Sequence, residues 1–357
     1  MAKLTMPKIN ITFESKLAAM ITASEKGTVL LILRDAALGG ENYTVTDITE
    51  IPDGLSEDNQ TQIKNALIGY VLPPKKVLVY VIDDEHTLTE ALKWAATQGF
   101  DYLCGPADVS SSESETIGSW IKSERANNFA IYKAVLPNYA GDSEAIVNFA
   151  ASGIQTEDGT FDAAGYCSRI AGLLAGTPMR ISSTYASLPE VMDVDRLTQS
   201  EQDEAVGAGK YILWSDGQHV LTGRAVNSLQ TTTDTKSDQF KKIKLVEIMD
   251  MIGQDIRSTV RTDYIGKYAN TYANKMLLVA VIRGYMQELE AASLIQPGWE
   301  LDIDVAAQKR WLDAKGTDTT NMTRQQIREA DTGSHVFLAG YCKPLDAIED
   351  VDLAISI

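Results

Sequence analysis

The sequence predicts an α/β domain followed by an α+β region, with strand arms at both ends that complete sheets in neighbouring subunits. Three observations lead there. Between residues 25 and 155, short apolar runs alternate with helix-patterned stretches. That alternation implies a mostly parallel sheet wrapped by helices. Beyond 155 the pattern changes to turns, a hairpin signal and two long amphipathic helices. At both termini apolar residues recur at every second position, the period of a strand with one apolar face.

The N-terminal arm is Lys8-Ile9-Asn10-Ile11-Thr12-Phe13-Glu14, with Ile9, Ile11 and Phe13 on one face. The C-terminal arm is Asp350-Val351-Asp352-Leu353-Ala354-Ile355-Ser356-Ile357, with Val351, Leu353, Ile355 and Ile357 on one face. A lone strand leaves its backbone groups unpaired and its apolar side wet, so each arm needs another sheet. The expected segments are an arm and linker over 1–24, an α/β domain over 25–155, an α+β domain over 156–344 and a C-terminal arm over 345–357. Ser15 to Ser24 and Lys343 to Ile348 are the expected hinges.

Within the α/β domain, Gly27-Thr28-Val29-Leu30-Leu31-Ile32-Leu33 and Val77-Leu78-Val79-Tyr80-Val81-Ile82 read as strands covered on both faces. Thr87 and Glu90 form a capping-box pattern for a helix with Leu88, Ala91, Leu92 and Ala95 on one face. Tyr102-Leu103-Cys104 is a short strand, 113–125 a helix and 129–135 a strand. A further helix is expected from Asp142 or Ser143 to Gly153. In the second half, 162–174 and 197–208 read as helices. Tyr211-Ile212-Leu213-Trp214 and His219-Val220-Leu221-Thr222 flank Asp216-Gly217 as a hairpin. Leu245, Ile248, Met249, Ile252 and Ile256 line one long helix; Leu278, Val281, Ile282, Tyr285 and Leu289 line the next. Residues 302–332 are charged and ambiguous, and 336–342 is a strand.

A formal charge of −17 over 357 residues argues against a nucleic-acid partner, which needs a basic footprint, and against an anionic membrane surface. The longest apolar run, Met276 to Ile282, is far too short to span a bilayer. Met1 to Pro7 holds no secretion-signal core, so manufacture in the cytosol is expected. Cys104, Cys167 and Cys342 are widely spaced and read as reduced thiols, with a catalytic cysteine as the minor alternative.

Met249-Asp250-Met251-Ile252-Gly253-Gln254-Asp255-Ile256-Arg257, running into Tyr264-Ile265-Gly266-Lys267-Tyr268-Ala269-Asn270, resembles the sheath subunit of contractile phage tails and R-type bacteriocins. Ala208-Gly209-Lys210-Tyr211-Ile212-Leu213, Gly223-Arg224-Ala225-Val226-Asn227-Ser228-Leu229 and the two arms agree with it. The likeness covers 160–357 and the N-terminal arm; it is weak in the α/β region, the variable decoration of that family. The resemblance implies an α/β outer domain on an α+β assembly domain, and a mechanical role without enzymatic activity or cofactor. It implies hexameric rings stacked helically around an inner tube, arms donated between subunits, and contraction that drives the tube through a target envelope. The implied partners are other copies, the tube protein, and baseplate and terminator proteins, with no nucleic acid and no membrane insertion. Assembly is expected in the bacterial cytoplasm, before release in a phage tail or bacteriocin particle.

Other signals have plain readings. Gly207-Ala208-Gly209-Lys210 has Tyr211 where a phosphate loop needs Ser or Thr, and reads as a turn. Asp83-Asp84-Glu85-His86 reads as a solvated strand-to-helix loop, with metal ligation as the alternative. Asp193 with Asp195, and Asp302 with Asp304, lack the glycine and glutamate of a calcium loop. His219 and His335 are expected in strands, with structural roles. Lys241, Lys242 and Lys244, with Lys236 beside them, and Arg257 and Arg261, with Lys267 beyond, form a local basic excess that could face an acidic tube; a solvated face or intersubunit ion pairs is the alternative. The rival functions are a nucleotide-binding enzyme on a doubly wound sheet and a monomeric adhesion or surface-layer module.

Overall fold

The computed structural model describes Ile21 and residues 26–356. The chain divides into two compact units, residues 26–252 with 344–356, and residues 253–343.

The first unit contains, in order, β1 (Thr28–Arg34), β2 (Asn42–Val45), α1 (Glu57–Ile68), β3 (Lys76–Ile82), α2 (Leu88–Ala95), β4 (Tyr102–Cys104), α3 (Ser111–Asn128), β5 (Lys133–Pro137) and β6 (Ile146–Phe149). The hairpin β7 (Ile154–Thr156) and β8 (Gly159–Phe161), α4 (Ala163–Ala175), α5 (Gln199–Gly207), β9 (Lys210–Tyr211), and the hairpin β10 (Leu213–Ser215) and β11 (Val220–Thr222) follow. Seven strands form one sheet in the order β2-β3-β1-β4-β5-β6-β9, parallel except for β2. The sheet therefore runs past residue 155 to Tyr211.

The strands bury alternate residues in two cores. Val29, Leu31, Leu33, Val77, Val79 and Val81 face α1 and α4, while Leu30, Ile32, Leu78, Tyr80 and Ile82 face α2 and α3. Double covering is what makes these strands read as unbroken apolar runs. Gly172 lets α4 cross α1 closely, since a Cβ there would lie 2.0 Å from the Ala66 carbonyl oxygen.

Two local expectations fail. Residues 146–149 form a strand in place of the helix predicted over 142–153, with all four side chains buried. Asp142 has the chemistry of a helix cap, but its carboxylate accepts from the distant Gln230 and Thr231 amides at 2.7 and 2.9 Å. The strand expected over 129–135 starts only at Lys133, because Phe129 closes α3 in the left-handed conformation (φ 54°).

A buried ionic cluster joins the sheet to α6 (Ile243–Thr259). Glu247 accepts from Lys26 and from the Tyr102 hydroxyl. Asp250 accepts from Arg125 through both nitrogens, at 3.0 and 2.9 Å, and pairs with Lys133 at 2.9 Å. Burial presses the Asp250 carboxyl upward, but Lys133 and Arg125 outweigh it and hold it below the usual carboxylate range.

The second unit holds the end of α6, a π-turn over Val260–Tyr264, α7 (Tyr272–Ala291), β12 (Glu300–Ile303), α8 (Val305–Ala314), α9 (Arg324–Glu329) and β13 (Leu338–Tyr341). The charged stretch that is ambiguous in sequence is ordered by polar bonds. Arg328 forks onto Asp302 with two 2.8 Å bonds, tying α9 to β12. Lys275, buried in α7, donates to Thr332 at 2.9 Å. His335 precedes β13 and stacks on Phe337; His219 lies in the β10–β11 turn, so neither is in a strand.

Replacing Asp250 with Asn leaves Arg125 and Lys133 short of a buried counter-charge and should cost ~3–5 kcal/mol, read from the urea midpoint. Because the Asp250 pKa is depressed in the fold, its contribution is complete above the ordinary carboxylate value of about 4 and fades as pH falls through the folded value. Stability of the native sequence should therefore drop more steeply in acid than that of the Asn variant. A midpoint change worth under about 1 kcal/mol would mean that the remaining carboxylates balance these cations.

Candidate assembly interface

The C-terminal segment is held by its base and, over 351–356, joins no strand among the described residues. Glu349, with a side chain only 5% exposed, accepts from Thr184 Oγ1 at 2.6 Å, Ser182 Oγ at 3.3 Å and Lys242 Nζ at 3.0 Å. Asp346 also accepts from Lys242, and Asp350 from Arg224. The segment expected to hinge, Lys343 to Ile348, is thus tied through Asp346 and braced by Glu349 beyond it. Val351, Leu353 and Ile355 are 77%, 78% and 76% exposed, and no strand is formed over 350–356. Ile9, Ile11, Phe13 and Ile357, and the Ser15 to Ser24 linker apart from Ile21, lie outside the described residues.

The second unit offers a small sheet. β12 and β13 pair antiparallel, Glu300 opposite Tyr341 and Ile303 opposite Leu338, and among the described residues no third strand joins them. Gly340 permits the close pairing, since a Cβ there would meet the Glu300 carbonyl at 2.8 Å. A groove of about 930 Å³ follows this sheet, lined by Arg283, Trp299, Leu301, Ile303, Arg324 and Tyr341. Nothing in the composition of 336–342 announces it, because an open edge is a property of the paired sheet.

The basic residues have divided roles. Lys244 is buried, and Lys242 carries the two carboxylates of the C-terminal segment; these two are therefore not the exposed patch that their spacing suggests. Lys241 pairs with Asp238 at 2.9 Å and Lys236 with Glu144 at 2.8 Å. Arg257 is half-buried and bonds Gln254 at 3.3 Å, while Arg261 is exposed in the π-turn.

The places where a doubly wound enzyme would hold an anion are occupied. Such ligands sit at the carboxyl ends of the strands, against helix N-termini. There, the N-termini of α2 and α3 are closed by their own capping boxes, Thr87 with Glu90 and Ser110 with Glu113. Asp35 takes the Ser56 amide at the start of α1, and Arg34 is committed to Glu113 at 2.6 Å. The adjoining crevice presents Asp83, Asp84, Glu85 and Glu113. Asp83 accepts from the Glu85 and His86 amides at 2.9 and 2.7 Å, which makes the loop a self-contained turn. Gly209, with φ of +73°, turns the chain from α5 into β9.

The phage tail sheath protein central domain profile matches residues 84–228, and the phage tail sheath C-terminal domain profile matches residues 235–357. The tail sheath protein of Clostridium phage phiCD119 is 33% identical over 354 residues, covering 98% of each chain. The chain belongs to the phage tail sheath family. The fold agrees. A sheath tail protein of Desulfitobacterium hafniense superposes with a TM-score of 0.69 at 18% identity, over 83% of this chain and 94% of that one. The sheath of an extracellular contractile injection system, captured in its contracted state, gives 0.69 at 10% identity over 100% and 98%. This sheath subunit is therefore a structural protein of a phage tail or a related contractile particle. Among its described residues no helix is long and apolar enough to cross a membrane.

Burial raises the Cys104 and Cys167 thiols far above their ordinary value, and raises that of half-buried Cys342. Buried thiols of this kind are unreactive. Iodoacetamide at pH 8 should leave Cys104 and Cys167 unmodified in the native subunit and alkylate both in urea, as read by intact mass. Labelling of either before unfolding would reopen the nucleophile reading.

Proposed function

We propose that this sheath subunit polymerises helically around an inner tube by lending its terminal strands to neighbouring copies, and that contraction of the polymer drives the tube through a target envelope. The observation that carries the reading is the alternation of Val351, Leu353 and Ile355, each about three-quarters exposed and in no strand pairing among the described residues. A patterned strand left open in this way is an aggregation hazard unless a partner covers it, and strand addition to a sheet edge is a recurrent way to join chains. The β12–β13 sheet is the acceptor we assign, with the groove beside it taking the apolar side chains. Ladder bonds survive when tethered bodies rotate, so such links suit a lattice that rearranges without dissociating.

The N-terminal arm, through Ile9, Ile11 and Phe13, is assigned the same role on its pattern alone. Heterologous contacts of this kind extend into filaments unless the rotation closes, in keeping with stacked rings. Exposed Arg261, with Arg257 one turn before it, is the remaining candidate for contact with an acidic tube; Lys241 is secondary, being paired with Asp238. Tube, baseplate and terminator proteins are the partners this reading requires.

Deleting residues 351–357 or 1–14 should abolish hollow polymers in negative-stain micrographs while circular dichroism of the monomer is preserved. Polymers of normal length from either truncation would remove that arm from the scheme. Changing Arg257 and Arg261 to Glu should reduce co-sedimentation with purified tube and leave tube-free polymers intact. Unchanged co-sedimentation would exclude these two residues from the tube contact.

A further inference from the structure

The segment 346–350 reverses the usual patterning of a chain lying on a protein surface. Its large apolar side chain points out and one of its carboxylates points in: Ile348 is almost fully exposed, while Glu349 is nearly enclosed by Thr184, Ser182 and Lys242. A carboxylate in such a place is tolerated only when its lone pairs are met by donors, and four side chains converge on it, Arg224 included at 3.9 Å. The flanking Asp346 and Asp350 are taken by Lys242 and Arg224. The neighbouring charges sharpen these pairs. Asp346 and Glu349 raise the Lys242 ammonium despite the opposing effect of burial, and the hydrogen bond to Asp350 raises the Arg224 guanidinium.

We propose that Lys242, Arg224 and Glu349 are positioning residues for strand donation: they form a clasp that sets where the C-terminal arm leaves the body. This rests on the strand-donation reading above. With the clasp closed, about seven residues, 351–357, are free to search for a neighbour. With it open, the free length rises to about twelve, 346–357, since Pro344 is buried apart from the clasp. The effective concentration of a tethered segment falls roughly as the −3/2 power of its length, so opening the clasp should dilute the arm about twofold. The clasp also fixes the direction in which Val351, Leu353 and Ile355 present their apolar face. Its anchor on the body is Lys242, the residue directly before α6, and α6 carries Glu247, the partner of Lys26 near the other terminus. One element thereby holds the roots of both terminal segments.

The test compares the full chain with Glu349→Ala, with Glu349→Gln, which keeps an acceptor for Thr184 and Ser182 and loses the charge, and with a truncation that removes 351–357. Critical concentration is read by sedimentation and light scattering, and folding of the monomer by circular dichroism and thermal melting. The clasp predicts that Glu349→Ala raises the critical concentration about twofold or more, with the melting of the body unchanged, and that Glu349→Gln recovers part of the loss. A structural role alone would lower the melting temperature of the body instead of shifting assembly. Assembly of Glu349→Ala at the wild-type concentration, while the truncation abolishes polymers, would overturn the clasp and leave strand donation standing. Normal polymers from the truncation would overturn strand donation itself, and the clasp with it. Should Glu349→Ala give too little folded protein, Arg224→Ala at a half-exposed position carries the same two outcomes.

Discussion

Two carboxylates on one helix, Glu247 and Asp250, gather side chains from four separate parts of the chain. Lys26 from the start of the body, Tyr102 from β4, Arg125 from the end of α3 and Lys133 from the start of β5 all converge on them. Removing any of these charges from water costs several kcal/mol, which the pairing offsets only when all the partners are in place. The cluster therefore behaves as a unit. It ties α6 to the sheet and fixes the start of the body, so the arrangement of the first unit follows from a few charges that must be buried together or not at all.

The same economy of charge closes the crevice of this doubly wound sheet. Its helix N-termini, elsewhere the places where phosphates bind, are each satisfied by a side chain of the protein: Glu90, Glu113 and Asp35 take the amides or the space an anion would need. Fold alone does not imply function. Among the described residues the β12–β13 sheet has two strands, and the strand-patterned C-terminus joins no sheet.

Much of the architecture was legible because its signals are local. The capping boxes at Thr87 and Thr198, the apolar runs of β1 and β3, and the Asp216-Gly217 turn each depend on residues within a few positions of one another. The errors came where a local signal was answered at a distance. Asp142 looked like the cap of its own helix and instead accepts from amides almost ninety positions away. Lys242 and Lys244 looked like neighbours in an exposed basic patch; one is an anchor for the C-terminal segment and the other is buried.

Sequence by itself determined the apolar faces of the central sheet, the two long helices and the family, because periodicity and turn chemistry act over short range. Tertiary structure alone decided which side chains on α6 and at its threshold would be buried, that β6 would be a strand, that β9 would extend the sheet past residue 155, and that Glu349 would be enclosed. Burial and charge pairing depend on what lies opposite in space, and a linear order of residues does not contain that until the chain has folded.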